Sequence, residues 1–251
     1  MTPELANAPA EAATAPPTAD RDESPSDQTP PDETPSAACG DGAFRFVETS
    51  RRGEPTWELA AMLFPKQGEW TLEQFHELVE QDEDLRVEFA EGCLEFLPVP
   101  SKFHEILGNV LFAKLLLLLG PRRVFFGGYE LEAPNGSARF PDLLAARSED
   151  SLGPKRATAA DLVIEVVSPG RVQHDRDFRQ KRTDYASAGV GEYWIVDPET
   201  RTVLVLRLKD GAYVEAGTFV AGQTAASAII DGFAVAVDEL FSAAEDGPAA
   251  E

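Results

Sequence analysis

Apolar residues at Leu72, Phe75, Leu78 and Val79 recur at helical spacing, and polar positions fill the other face. This periodicity predicts an amphipathic helix. Thr71, with Gln74 three residues on, supplies a capping box at its start. From Arg86 to Leu97 the period changes to two around Ala90-Glu91-Gly92, which predicts two short strands joined by a tight turn. Pro98 and Pro100 end the second strand, and Ser101 caps a long helix that runs to about Leu119 before Gly120-Pro121. Ile106, Leu107, Val110, Leu111 and the leucines from Leu115 to Leu119 make it a central packing helix. The leucines lack heptad spacing, which favours a core role over a zipper.

Strands are expected at 123–131 and at Phe140–Ala146, with a turn at Pro134-Asn135-Gly136 between them. Asp161–Val167 is continuous and β-branched, the pattern of a strand covered on both faces. Ser168-Pro169-Gly170 breaks it, and a helix follows from about Asp175 to Ala188, closed by Gly189. Further strands are predicted at Tyr193–Val196, Val203–Leu208 and Tyr213–Phe219, with a hairpin turn at Lys209-Asp210-Gly211. Tyr193 and Trp194 alternate across the first of these and are expected in the core or at a dimer surface. No repeat is visible. The order predicts an α/β (α+β) domain, a mixed sheet flanked by helices.

Composition divides the chain. Residues 1–40 are mostly Ala, Pro, Thr, Ser, Asp and Glu and cannot bury enough apolar surface to offset their ordering entropy. We read them as a disordered acidic tail without the basic start and apolar stretch of a secretory signal. Residues 41–69 form a connecting region, 70–243 the folded domain, and 244–251 a disordered end. Val110–Leu119 is too short to span a bilayer. Cys39 and Cys93 give neither zinc spacing nor a disulfide framework, so a cytoplasmic setting is expected.

The net charge of -22 changes the picture further. The tail, with eight acids against one arginine, supplies roughly a third of it, so the folded part is acidic too. An acidic surface opposes non-specific binding to phosphate backbones. A nucleic-acid role then needs metal ions or a local basic patch. The richest patch is 171–182, with Arg171, Arg176, Arg179, Lys181 and Arg182.

Three residues have the chemistry for such a role. Asp142 follows Pro141 at the start of one strand, Glu165 lies inside Leu162-Val163-Ile164-Glu165-Val166-Val167, and Lys181 lies on the next helix. Carboxylates holding one or two Mg2+ ions neutralise a phosphodiester transition state and present a deprotonated water, and a lysine orients it or stabilises charge. A Pro-Asp pair is also a common turn, and a lone helix lysine is usually solvated. Glu165 is harder to explain structurally, because a carboxylate in an apolar strand is costly without a partner or metal. Asp177 lies four residues before Lys181, the spacing of a helix ion pair. Tyr185 is expected to pack beneath the site or bond an acid, with packing preferred.

The stretch Leu162–Gly170, then Asp177-Phe178-Arg179-Gln180-Lys181-Arg182-Thr183-Asp184-Tyr185, then Ala188-Gly189-Val190-Gly191-Glu192-Tyr193-Trp194-Ile195-Val196-Asp197-Pro198, resembles the Uma-two family. These bacterial proteins, abundant in cyanobacteria, are assigned as restriction-type endonucleases of the PD-(D/E)XK superfamily. The similarity runs from about Thr71 to Phe241. It implies a restriction-endonuclease-like core and Mg2+-dependent cleavage of DNA, with Mn2+ as a substitute. Asp142 and Glu165 match the motif acids and metal ligands. Val167 stands where the superfamily has its lysine, and Lys181 matches the helix lysine that replaces it in this group. His104 matches a histidine common in the family, an auxiliary residue or a structural one. Glu88 is a third candidate ligand or a solvent-facing strand residue. Arg176 and Arg179 are expected to bind substrate, and a homodimer is the expected assembly.

Two other classes remain open on the sequence. One is a catalytically idle nuclease fold acting as a binding or regulatory module. The other is a regulatory protein whose acidic tail imitates DNA.

Overall fold

The computed structural model describes residues 64–82, 85–168 and 176–245. The acidic tail, most of the 41–69 connection, the Pro169-Gly170 break with Arg171, and residues 246–251 lie outside the described residues.

Helix α1 (Leu72–Gln81) begins at the expected capping box, with Thr71 Oγ1 accepting from Gln74 N and Gln74 Oε1 accepting from Thr71 N. It packs Phe75 onto the hairpin of β1 (Val87–Ala90) and β2 (Cys93–Phe96), which pair antiparallel with Val87 opposite Phe96. Helix α2 (Lys102–Leu119) starts where Ser101 Oγ accepts from His104 N at 3.2 Å. Its middle is buried through Leu107, Leu111 and Leu115, but Leu117 is 87% exposed and Leu118 44%. Of the leucine run only Leu115 is fully buried and Leu119 packs half-buried beside it, because five successive residues cannot share one face at 3.6 residues per turn.

The predicted strand over 123–131 is two strands in two different sheets: β3 (Val124–Phe126) and β4 (Glu130–Glu132). Gly127 and Gly128 separate them with φ of 56° and 64°, a backbone that glycine adopts without steric cost. The predicted strand over 140–146 is shorter, β6 (Leu143–Ala145); an unpredicted strand β5 (Ala138–Arg139) of the other sheet precedes it, with Phe140-Pro141-Asp142 as the crossing. Pro141 lacks the N–H that a ladder needs at such a point. Then come β7 (Arg156–Ala157), β8 (Leu162–Val166), a π-helical turn (Arg176–Gln180), and helix α3 (Lys181–Ser187). Strands β9 (Glu192–Asp197), β10 (Thr202–Lys209) and β11 (Ala212–Phe219) follow as expected. Unanticipated are β12 (Thr224–Ala226), β13 (Ala234–Ala236) and helix α4 (Val237–Glu245).

Two sheets carry the architecture. One has the order β2-β1-β5-β4-β7, and the other β11-β10-β9-β8-β6-β3; β12 and β13 form a small ribbon. The larger sheet is mixed, with β8 parallel to β9 and antiparallel to β6. Strand alternation divides its core between two faces. Leu143, Leu162, Ile164 and Val166 join α2 and α4 residues on one side. Leu144, Val163 and Val167 join Tyr185 and Val190 on the other. Tyr193 and Trp194 are fully buried on opposite faces, so both are core residues. No helix among the described residues is long and apolar enough to cross a membrane.

Candidate active site

The β6–β8 register brings the two acids together. Leu143 pairs with Ile164 and Leu144 with Val163, so one step back along β6 sets Asp142 opposite Glu165, on the side of Val163 and Val167. Asp142 Oδ2 accepts from Val166 N at 2.8 Å, and its main-chain carbonyl accepts from Gly127 N at 2.8 Å. These bonds tie Asp142 to both chain crossings and to β8.

Glu165 is 3% exposed. Its Oε1 accepts from Lys181 Nζ at 2.8 Å and, by a very short contact, from the Tyr185 hydroxyl. Lys181 comes from α3, one helical turn before Tyr185, so both side chains reach the strand from the same helix face. Its ammonium also lies 3.3 Å from Glu88 Oε1 and 3.5 Å from Asp177 Oδ1. The expected helix ion pair is thus present, as one arm of a buried cluster. Tyr185 does both things considered for it, since it is fully buried and bonds an acid. Val167 is buried in the apolar core, and the helix lysine occupies the space beside Glu165.

Glu88 is fully buried, which excludes the solvent-facing reading. It accepts from Phe140 N at 2.9 Å and pairs with Arg139 Nη1 at 3.1 Å. Arg139, itself 1% exposed, also holds Glu95 and Asp184. His104 Nε2 meets Asp142 Oδ2 at 3.1 Å, and His104 Nδ1 has no partner among the described residues. Arg176 lies against Asp177 at 3.4 Å and lines the cavity above the acids. Arg179 is exposed on the π-helical turn and does not line it.

Burial dominates the ionisation of Glu165. Desolvation pushes its carboxyl up, Lys181 pulls it back, and nearby Asp142, Asp177 and Glu88 add to the rise. Glu88 meets the same desolvation, but Lys181, Arg139, Arg176 and the Phe140 amide together outweigh it and hold the carboxyl below the usual range. Lys181 is opposed by burial yet carried upward by Glu165, Glu88 and Asp177, so it stays an ammonium. Burial lowers His104, and the Asp142 hydrogen bond together with the charges of Asp142, Glu105 and Glu165 more than offsets that.

The cavity, of about 500 Å3, extends from these groups to a second cluster that the sequence reading missed. His76, Glu130 and Glu132 each present a ligand-type atom within 4.8 Å of the others. The signal was present in Tyr129-Glu130-Leu131-Glu132, where charge alternates inside a strand. The pairing partner on α1 is 54 residues away and leaves no local trace.

As to cation binding, both described bonds to the Asp142 side chain fall on Oδ2, and both to the Glu165 side chain fall on Oε1. Asp142 Oδ1 and Glu165 Oε2 take part in none of them. Two hard oxygen donors facing one cavity suit Mg2+, which takes few protein ligands and keeps its waters.

The family model described as "Uma2: Putative restriction endonuclease" matches residues 72–238, more than half of the chain. Among solved structures, a crystal structure titled as a putative nuclease belonging to DUF820, from Anabaena variabilis, aligns with a TM-score of 0.55 at 20% identity. That alignment covers 69% of this chain and 98% of the other. At that identity the likeness is one of fold, a mixed sheet with flanking helices. None of the curated proteins matches the chain.

Proposed function

Because the chain belongs to the Uma2 family of restriction-endonuclease-type proteins, we propose that it is a divalent-metal-dependent endonuclease that hydrolyses phosphodiester bonds in DNA. The observation that carries this reading is the Glu165–Lys181 pair at 2.8 Å with Asp142 across the strand ladder. An apolar strand tolerates a carboxylate when a partner or a metal repays its desolvation, and here both ends of that requirement meet one cavity.

Asp142 and Glu165 would hold Mg2+ or Mn2+. A bound divalent ion supplies Lewis acidity and lowers the pKa of its water. Lys181, kept charged by three carboxylates, has no lone pair for a proton. Its task is therefore to orient the attacking water by donation or to stabilise charge on the pentacovalent phosphorus. Glu88 and Asp177 keep the ammonium aimed at Glu165. His104 fixes Asp142 Oδ2 and leaves Oδ1 for the cation. Arg176 offers a guanidinium to the phosphate at the cavity wall. Arg179, being exposed beside it, offers one to the flanking backbone.

The test is nicking of supercoiled and linear DNA by the full chain with Mg2+ or Mn2+. Asp142→Asn and Glu165→Gln are expected to abolish cleavage, and Lys181→Met to slow it by about 100-fold or more. Cleavage that survives Asp142→Asn sinks the assignment. Metal binding without cleavage of any DNA form favours instead an idle nuclease fold used for binding, which the buried Val167 at the superfamily's lysine position also suits.

A further inference from the structure

The cluster of His76, Glu130 and Glu132 has no part in the reaction just described. Helix α1 presents His76, and β4 presents Glu130 and Glu132 from one face, as residues two apart on a strand must. His76 Nε2 lies 2.9 Å from Glu130 Oε1 and 4.0 Å from Glu132 Oε2. Their side chains are 17%, 7% and 32% exposed, so the cluster is largely withdrawn from water. His76 and Glu130 line the cavity.

A cation already sits among them. Arg156 is the β7 register partner of Glu130. Its Nη1 lies 2.8 Å from Glu132 Oε2 and 3.2 Å from His76 Nδ1, and its Nε 3.6 Å from Glu130 Oε1. A guanidinium only donates, so Nδ1 accepts, and the ring proton of the neutral imidazole is on Nε2, aimed at Glu130. Two carboxylates against one guanidinium leave the pocket negative.

We propose that His76, Glu130 and Glu132 form a binding site for a zinc-type divalent transition-metal ion, in which Arg156 is the competing cation of the metal-free protein. An imidazole with two carboxylates suits such ions, whereas Mg2+ prefers an all-oxygen shell. Three protein ligands leave a tetrahedral ion one position for water or for an anion in the cavity. Ligation by Nε2 moves the ring proton to Nδ1, where it would face the Arg156 donor. Arg156 must then swing away, and at 30% side-chain exposure it has an outlet to solvent. The site stands whether or not the chain cleaves DNA.

Calorimetric titration of the metal-stripped full chain with Zn2+ tests this, using an Asp142→Asn background to remove the first site. One zinc equivalent is expected there, lost in Asp142→Asn/His76→Gln and unmatched by Mg2+. Arg156→Gln, a change at a partly exposed side chain, is expected to tighten zinc at least tenfold. No zinc bound in the Asp142→Asn protein overturns the site. So does zinc binding indifferent to His76→Gln, or an Arg156→Gln protein that binds zinc no better.

Discussion

The two walls that enclose the Lys181 ammonium solve the problem of a buried carboxylate in opposite ways. On the wall built from β1 and β5, Glu88 has Lys181, Arg139 and the Phe140 amide around it, and its ionised form is favoured. On the wall built from β8, Glu165 has Lys181 and a tyrosine hydroxyl but shares its surroundings with other acids, and its protonated form is favoured. One lysine serves both, yet the outcomes diverge. The number of cations around each acid decides, because desolvation is the same opponent in both places. A fully compensated carboxylate is scaffold, whereas an under-compensated one invites a metal ion.

The sharpest way to break this contrast is to remove the cation that only the first wall has. Arg139→Met leaves Glu88, Glu95 and Asp184 facing one another, and we expect a loss of about 3–5 kcal/mol in urea unfolding. A loss near zero would mean that Arg139 does not compensate this wall. Next in size, Glu88→Gln should cost about 1–3 kcal/mol by leaving buried cations under-paired, while Glu165→Gln should cost less than about 1 kcal/mol. Equal costs would erase the difference between the walls.

The pH dependence follows with opposite signs. Glu165 has its carboxyl raised from 4.5 to about 8 in the folded protein, so the stability it contributes is complete below 4.5 and is lost as pH rises through about 8. The Tm of metal-free wild type should therefore fall relative to that of Glu165→Gln over that range. Glu88, held low, contributes stability that is present above 4.5 and is lost on acidification. A wild-type Tm that rises relative to Glu165→Gln with alkalinity would contradict the Glu165 assignment. Tyr185→Phe, which deletes one donor to Glu165, should cost about 1 kcal/mol in urea unfolding. An unchanged midpoint would show that the short contact carries no net stability.

Much of this was legible from local pattern. The capping box at Thr71, the hairpin around Glu91-Gly92 and the β-branched strand at 162–166 are all decided by neighbouring residues. Glu165 was conspicuous because an apolar strand surrounds it. The sheet membership of 124–132 and 138–145 was not legible. The first run read as one strand and the second as a strand from Phe140 with Ala138–Arg139 left out, and only the backbone freedom of Gly127-Gly128 and the missing donor of Pro141 divert the chain between sheets. Glu88 looked solvent-facing because its compensation comes from Arg139 and Lys181, distant in sequence. The His76 cluster was hidden for the same reason, and Leu117 and Leu118 looked like core because a leucine run conceals which face each residue takes.

The interleaving of the two sheets has a bearing on how the molecule comes together. The chain alternates repeatedly between them from β2 to β8, so the smaller sheet lacks a strand until Ala157 has been added and the larger one until Phe219 has. Asp142 and Glu165 face each other only once β8 has joined β6, the strand two before it in the chain. Such long-range closures are slow and cooperative. A nascent or partly unfolded chain therefore lacks the paired acids altogether, and any cation that binds them acts as a clamp on the completed fold.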